Sequence, residues 1–257
     1  MVKLVYCLRR LSHLTREEFQ RYWRENHGPL VKGTASPVGI RRYVQTHTID
    51  YIPKVNQRQS NLHFEPFDGV AELWYDRIDS LMPAQQTPEH RQAINSHVED
   101  ELTFIDRPRS PLWFTDEHVF INEMPELQRS ENAVTAIKLV YCLRRLPHLS
   151  REEFQHYWRE NHGPLVQKQK DVLGVRRYVQ SHTGYDEHNE ILRARLGRPN
   201  AFDGVAELWW DNIETYSPEN QTPERRAAAQ ELFEDEQRFI DVLRSPRWLA
   251  IEHVFVK

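Results

Sequence analysis

Four histidine pairs recur in this chain at a fixed offset of 135 residues: His13/His148, His27/His162, His47/His182 and His118/His253. An imidazole titrates near neutrality, so a repeated histidine is a candidate proton donor, proton acceptor or ligand. His27 and His162 each follow a tryptophan by one helical turn (Trp23 and Trp158), which sets an aromatic wall beside an ionisable ring. Gly28-Pro29 after His27 predicts a helix end there, where the helix dipole favours an imidazolium. The pair is therefore read as acid/base or substrate-binding, or else as a C-terminal cap. His47 and His182 end a run in which Arg41, Tyr43, Gln45 and His47 share one strand face, with Tyr178, Gln180 and His182 repeating it. Such a face lines a polar cavity or forms a solvated sheet edge. Glu72 and Glu207 stand mid-strand between apolar residues, and a carboxylate so placed needs a partner or is held partly protonated. Its expected partner is an arginine of a neighbouring strand, and a general acid/base is the alternative. Tyr6, Tyr141, Tyr43 and Tyr178 could anchor a hydroxyl or enolate, or simply pack. His13 and His118 read as loop and strand-surface histidines, and Cys7 and Cys142 as small buried hydrophobes. His27 and His47 with Asp68 or Glu72 contain the two-imidazole, one-carboxylate set of non-haem iron sites. All come from different elements, so no metal and no other cofactor is expected.

These residues must be positioned by a repeated unit. Lys3–Val31 matches Lys138–Val166 at 26 of 29 positions, and residues 3–122 match 138–257 at 66 of 120 without a gap. The chain divides into a first module, 1–122, a polar linker, 123–135, and a second module, 136–257. Within a module, Lys3–Arg10 reads as a strand, and Thr15 with Glu18 makes a capping box that starts a helix. Arg41–Thr48 and Phe67–Asp76 read as strands, Thr87-Pro88 opens a second helix, and Glu117–Asn122 closes as a strand. The order βαββαβ is the ferredoxin-like split βαβ, an α+β fold with helices on one face of an antiparallel sheet. The other face would be left open, so the two sheets are expected to pair as an intramolecular α+β barrel. Ile49–Pro66 shares only Arg58 with its counterpart, whereas Phe67–Trp74 is identical in both copies. The divergent segments, Ile49–Pro66 and Asp186–Ala201, are expected to shape the pocket mouths.

Composition removes several function classes. With 34 Lys+Arg against 38 Asp+Glu, a net charge of −4 offers no basic field for nucleic acid. No apolar run approaches a membrane span, and the amino terminus lacks the apolar stretch of a secretory signal. Two cysteines make no disulfide framework, so a cytoplasmic protein is expected. The nine glycines form no phosphate-cradling motif.

The segments Tyr22–Val31 (YWRENHGPLV), Arg41–Gln45 (RRYVQ) and Phe67–Trp74 (FDGVAELW) resemble the EthD family of the dimeric α+β barrel superfamily, in both copies. The resemblance implies the ferredoxin-like fold and barrel pairing, here as a pseudo-dimer within one chain, with a further homodimer left open. It implies cofactor-free chemistry on aromatic, often polyketide-derived, molecules. The leading expectation is an acid/base enzyme (dehydratase, cyclase or decarboxylase type) acting on a small aromatic or polyketide-like substrate. Catalysis is assigned to His27, His162, His47, His182, Glu72 and Glu207. Substrate binding is assigned to Tyr6, Tyr141, Tyr43, Tyr178, Gln45, Gln180, Trp23 and Trp158. A cofactor-independent monooxygenase and a non-catalytic binder of a hydrophobic metabolite are the alternatives. Convergence of His27, His47 and Glu72 on one cavity would favour an enzyme, and their separation a binder.

Overall fold

In the computed structural model, residues 1–50, 65–81, 86–124, 136–216 and 220–257 are described. Most of the linker, 125–135, lies outside them, as does most of the divergent segment Ile49–Pro66. The first module contributes β1 (Val2–Leu8), β2 (Ile40–Thr48), β3 (Gly69–Tyr75) and β4 (Leu112–Asn122). The second contributes β5 (Ile137–Leu143), β6 (Arg177–Thr183), β7 (Gly204–Trp210) and β8 (Arg247–Val256). All pairings are antiparallel, and the order β1-β3-β2-β8-β5-β7-β6-β4 closes a barrel. The expected α+β architecture is present, with one refinement. The modules meet edge to edge through β2–β8 and β4–β6 rather than by stacking sheet on sheet.

The two last strands make this closure possible because each is long enough to serve both modules. Lys3 to Tyr6 of β1 pair with Thr115 to Leu112 of β4, while Thr115 to Asn122 pair with β6 of the other module. β8 divides in the same way between β5 and β2. No strand edge remains free in the ring, which removes the aggregation hazard of an open sheet. β2 is therefore not a solvated edge, contrary to one of the sequence expectations.

The helices lie outside the barrel. Thr15 caps α1 (Arg16–Tyr22) with both arms of the expected capping box, and Ser150 does the same for α5 (Arg151–Tyr157). Thr87 caps α4 (Pro88–Glu101) and Thr222 caps α8 (Pro223–Glu236). α1 does not stop at Gly28-Pro29. It widens into a π-turn, Trp23–His27, and continues as α2 (Gly28–Gly33); α3 (Ala35–Val38) follows. In the second module a π-turn, Trp158–His162, runs on into α6 (Gly163–Leu173). The wider turn moves the preceding carbonyls away from the proline ring, whose clash would otherwise break the helix. A Cβ on Gly28 would lie 2.3 Å from the Phe255 ring, and one on Gly163 2.2 Å from the Phe120 ring. Each glycine thus lets the other module's last strand press against this helix. The segment Asp186–Ala201 contains an additional helix, α7 (Asp186–Leu196), that the repeat pattern does not reveal.

Barrel residues divide by strand alternation. Val5, Cys7, Val70 and Trp113 meet Val140, Cys142, Val205 and Trp248 inside the barrel. Tyr6, Leu8, Ala71 and Tyr43 point outward to Phe19, Trp23 and Phe104 under the helices.

Candidate functional site

The expected site residues fall into three separate surroundings. Glu72 and Glu207 lie inside the barrel, where their partners are lysines, not arginines. Lys3 Nζ is 2.6 Å from both Glu72 and Glu207, and Lys138 Nζ is 2.6 Å from both. Each module supplies one lysine and one glutamate to this closed ring. Thr46 and Ser181 donate to the two carboxylates at 2.7 and 2.9 Å, and Glu117 and Glu252 approach the lysines at 3.1 and 3.0 Å. Burial disfavours each ammonium, but the surrounding carboxylates outweigh it and hold both lysines above their ordinary value. The two carboxylates titrate as a unit. Burial would raise Glu72, yet Lys138 and Lys3 hold it well below the usual range, whereas burial and the neighbouring Glu72 charge raise Glu207 to about 7. This arrangement makes the glutamates structural charge partners.

His27 and His162 lie under the helices within a continuing helix, so the predicted position at a helix end is corrected, and with it the dipole argument. The His27 Nδ1–H donates to Asp100 Oδ2 of α4 at 2.7 Å, and the Tyr22 hydroxyl donates to Asp100 Oδ1 at 2.7 Å. His162, Asp235 and Tyr157 repeat this set at 2.8 and 2.7 Å. Bonding by His27 and Tyr22 lowers the Asp100 carboxyl. His27 packs on Phe104 and edges His97, a residue of the first module alone, whose imidazole burial lowers to about 4. Nearby, the Tyr6 hydroxyl donates to half-buried Glu101 at 3.3 Å, and Arg198 arrives from the second module at 3.5 Å. The phenol of Tyr141 has no hydrogen-bond partner among the described residues. Burial raises both Tyr6 and Tyr141.

The third surrounding is the seam between the modules. His182 lies flat on Trp158, with ring centroids 4.5 Å apart and planes 6° apart. Gln180 Nε2 donates to the Trp158 carbonyl and to the Tyr178 hydroxyl, both at 2.9 Å. A carbonyl oxygen only accepts, so this orients the amide and turns Gln180 Oε1 to His182 Nε2, 2.8 Å away. His182 therefore carries its proton on Nε2, and its Nδ1 presents a lone pair. Burial, with the charge of Arg159, lowers His182 to about 3, so it is neutral at pH 7. The edge of His118, supplied by β4 of the other module, meets the His182 ring at 4.6 Å. The other seam repeats the arrangement: His47 stacks on Trp23 at 4.6 Å, bonds Gln45 Oε1 at 2.9 Å and meets His253 at 4.6 Å. Gln45 is oriented by the Trp23 carbonyl at 2.8 Å and Tyr43 at 2.9 Å, and burial lowers His47 well below its usual value. Burial holds Tyr43 and Tyr178 above the ordinary phenol range.

A cleft of about 730 Å³ opens beside His182 and His118, lined also by Asp116, Arg151, Gln155, His156, Arg159 and Asp186. Sequence reasoning assigned His118 and His253 to the strand surface. Their retention in both copies was the available signal, but their neighbours belong to the opposite module and no spacing within one copy reveals them. His27, His47, Asp68 and Glu72 do not assemble as a ligand set. Asp68 binds Arg10 and Arg16, and among the described residues no cluster of three metal-ligating side chains is present.

Among solved structures, an anthrone oxidase-like protein shares 12% identity, with 100% of this chain and 93% of that one covered and a TM-score of 0.50. A protein of Fusobacterium nucleatum subsp. nucleatum proposed to be a monooxygenase shares 6%, with 99% and 92% covered and a TM-score of 0.51. A proposed chlorite dismutase shares 11%, with 98% and 94% covered and a TM-score of 0.50. At these identities the likeness is one of fold. No match is found among curated proteins. The EthD domain profile matches twice, over residues 11–108 and 146–242, so each match covers the histidine-bearing helix and the two middle strands of its module. The chain belongs to the EthD family and carries two EthD domains in one polypeptide.

Proposed function

We propose that the protein is a cofactor-free enzyme of the dehydratase, cyclase or decarboxylase type, acting on a small aromatic or polyketide-like molecule at the seam between its modules that carries His182. The observation that carries this reading is the His182 side chain, a neutral imidazole of fixed tautomer with its Nδ1 lone pair free, stacked on Trp158 beside a cleft. Such a group accepts a hydrogen bond from bound substrate, and negative charge developing beside it in the transition state would raise its basicity toward that of a proton acceptor; the Gln180–Tyr178–Trp158 chain keeps the ring aligned for it. His47 with Gln45, Tyr43 and Trp23 is the counterpart. His27 and His162, each tied to an aspartate, serve as positioning groups behind the tryptophans, and Glu72 and Glu207 are left to the barrel ring.

The test is a thermal-shift screen of phenols, lactones and polyketide fragments followed by turnover assays on the binders. Replacing His182 by Asn is expected to lower kcat by about 10²–10⁴-fold with the fold retained. Unchanged turnover in the folded His182→Asn, His47→Asn double variant would overturn the assignment. The separation of His27, His47 and Glu72 favours one competing reading, a metabolite-binding protein without catalysis. Tight binding with no conversion of any binder would establish that reading instead.

A further inference from the structure

The two seams are built from the same histidines but differ around them. At the second, β4 supplies Asp116 opposite His182, and Gly184 follows Thr183. At the first, β8 supplies Ile251 opposite His47, and Ile49 follows Thr48. His156 of the second seam is Arg21 at the first. Ile49 is partly buried against the second module's core, whereas Gly184 sits tight against Asp116, where a Cβ would stand 3.1 Å from Asp116 Oδ2. The cleft described above belongs to the second seam.

The charge of that cleft is also informative. Its lining holds four carboxylates, Asp116, Glu152, Glu153 and Asp186, against two guanidiniums, Arg151 and Arg159. Both guanidiniums are already engaged, Arg151 by Asp186 and Arg159 by Glu160 at 2.8 Å. His182 Nδ1 makes no hydrogen bond among the described residues. Carboxylates outnumber guanidiniums on these walls, which thus offer hydrogen-bond acceptors in excess. A ligand that fits must bring hydrogen-bond donors and no negative charge, and the histidine edge of His118 over the His182–Trp158 stack suits a flat ring.

We propose that the second seam binds one uncharged, hydroxyl-bearing aromatic ring per chain, with His118 of the first module and His182 of the second accepting hydrogen bonds from its hydroxyl groups. This deepens the enzyme reading above by naming its substrate class, and it makes the site a joint product of both modules. At neutral pH both imidazoles are free to accept, because burial and the Arg159 charge lower each of them. The four carboxylates disfavour aromatic carboxylates, and the first seam lacks the acidic wall, because Ile251 stands opposite His47 where Asp116 stands opposite His182.

The experiment titrates the full chain with resorcinol, benzoate and benzylamine while imidazole nitrogen and carbon-bound proton resonances are followed by NMR. Resorcinol is expected to shift His182 Nδ1 and His118, to saturate at one equivalent, and to leave His47 and His253 unmoved. Gly184→Ile, which copies the first seam, is expected to weaken this binding by about tenfold, the scale of one lost hydrogen bond. Stronger binding of benzoate or benzylamine, two equivalents of resorcinol, or no shift at these histidines with any probe would overturn the proposal. Resorcinol binding without turnover of any phenol would sink the enzyme reading and leave this one standing. Conversion of an aromatic carboxylate through His182 would do the reverse.

Discussion

Inside the barrel, four side chains decide how the modules recognise each other. Lys3, Glu72, Lys138 and Glu207 are each at most 2% exposed, and every cation touches both anions. A buried ring of this kind adds little net stability over an apolar core, but removing one member leaves an uncompensated charge. Lys3→Met is therefore expected to lower unfolding free energy by about 3–5 kcal/mol in urea titration. The quadruple replacement by apolar residues of similar volume is expected to recover most of the loss. A Lys3→Met chain as stable as wild type would show that the second lysine alone neutralises both carboxylates. The sequence announces that Glu72 needs a partner, because a mid-strand carboxylate among valine and tryptophan has no other fate. It does not announce which partner, since every other member of the ring lies more than 60 positions from Glu72. The seam histidines were legible for the same local reason, as strand alternation puts Tyr43, Gln45 and His47 on one face. His118 and His253 were not, because only closure of the barrel brings them there.

At the level of elements, local rules succeed where the chain talks to itself. The capping box of Thr15 and Glu18 depends on four consecutive residues and is present as expected. Past that start, Gly28 packs against Phe255, more than 220 positions away, and there the local rule fails: Gly-Pro reads as a break, but the helix passes through the π-turn Trp23–His27 and continues as α2. Gly28→Ala puts a methyl group into the Phe255 ring, and overpacking of this kind costs about 1–3 kcal/mol. Urea denaturation of Gly28→Ala, Phe255→Leu and the double variant tests the contact. The double variant is expected to be more stable than the sum of the single effects predicts, with a coupling of about 0.5 kcal/mol or more. Additive losses would mean that the glycine serves the helix backbone and not the seam.

For the whole molecule, stability and pH are linked through the seams. His182 stands at about 3 in the folded protein and His47 well below its ordinary value, against about 6.5 in an unfolded chain. The unfolded chain then binds more protons as pH falls below 6.5, so the fold loses stability at about 1.4 kcal/mol per pH unit for each of these histidines, down to the folded value. Glu207, raised to about 7, acts oppositely and stabilises the fold as pH falls from 7 toward 4.5. The lowered histidines, His97, His118 and His253 with these two, outnumber the raised glutamates, Glu101 and Glu236 with Glu207, so Tm is expected to fall between pH 6.5 and 5. The slope should be shallower in His182→Gln; an equal slope would place the proton uptake elsewhere. The isolated first half, residues 1–124, keeps β1–β4 but loses every partner of β2 and β4 across the seams. It is expected to dimerise or aggregate in sedimentation, and a stable monomer would contradict the role given to closure.

The shared last strands have an evolutionary consequence. His118 is encoded in the first copy yet stands against His182 of the second, and His253 of the second stands against His47 of the first. A lesion in either copy thus reaches both seams. After duplication, one half could not decay into a passive scaffold while the other kept the ancestral site, the usual route by which duplicated genes divide labour. Divergence had to proceed by unequal decoration of two jointly owned seams, and the contrast of Ile49 and Ile251 with Gly184 and Asp116 has that form. Specialisation here is inscribed across the seam and not along the chain.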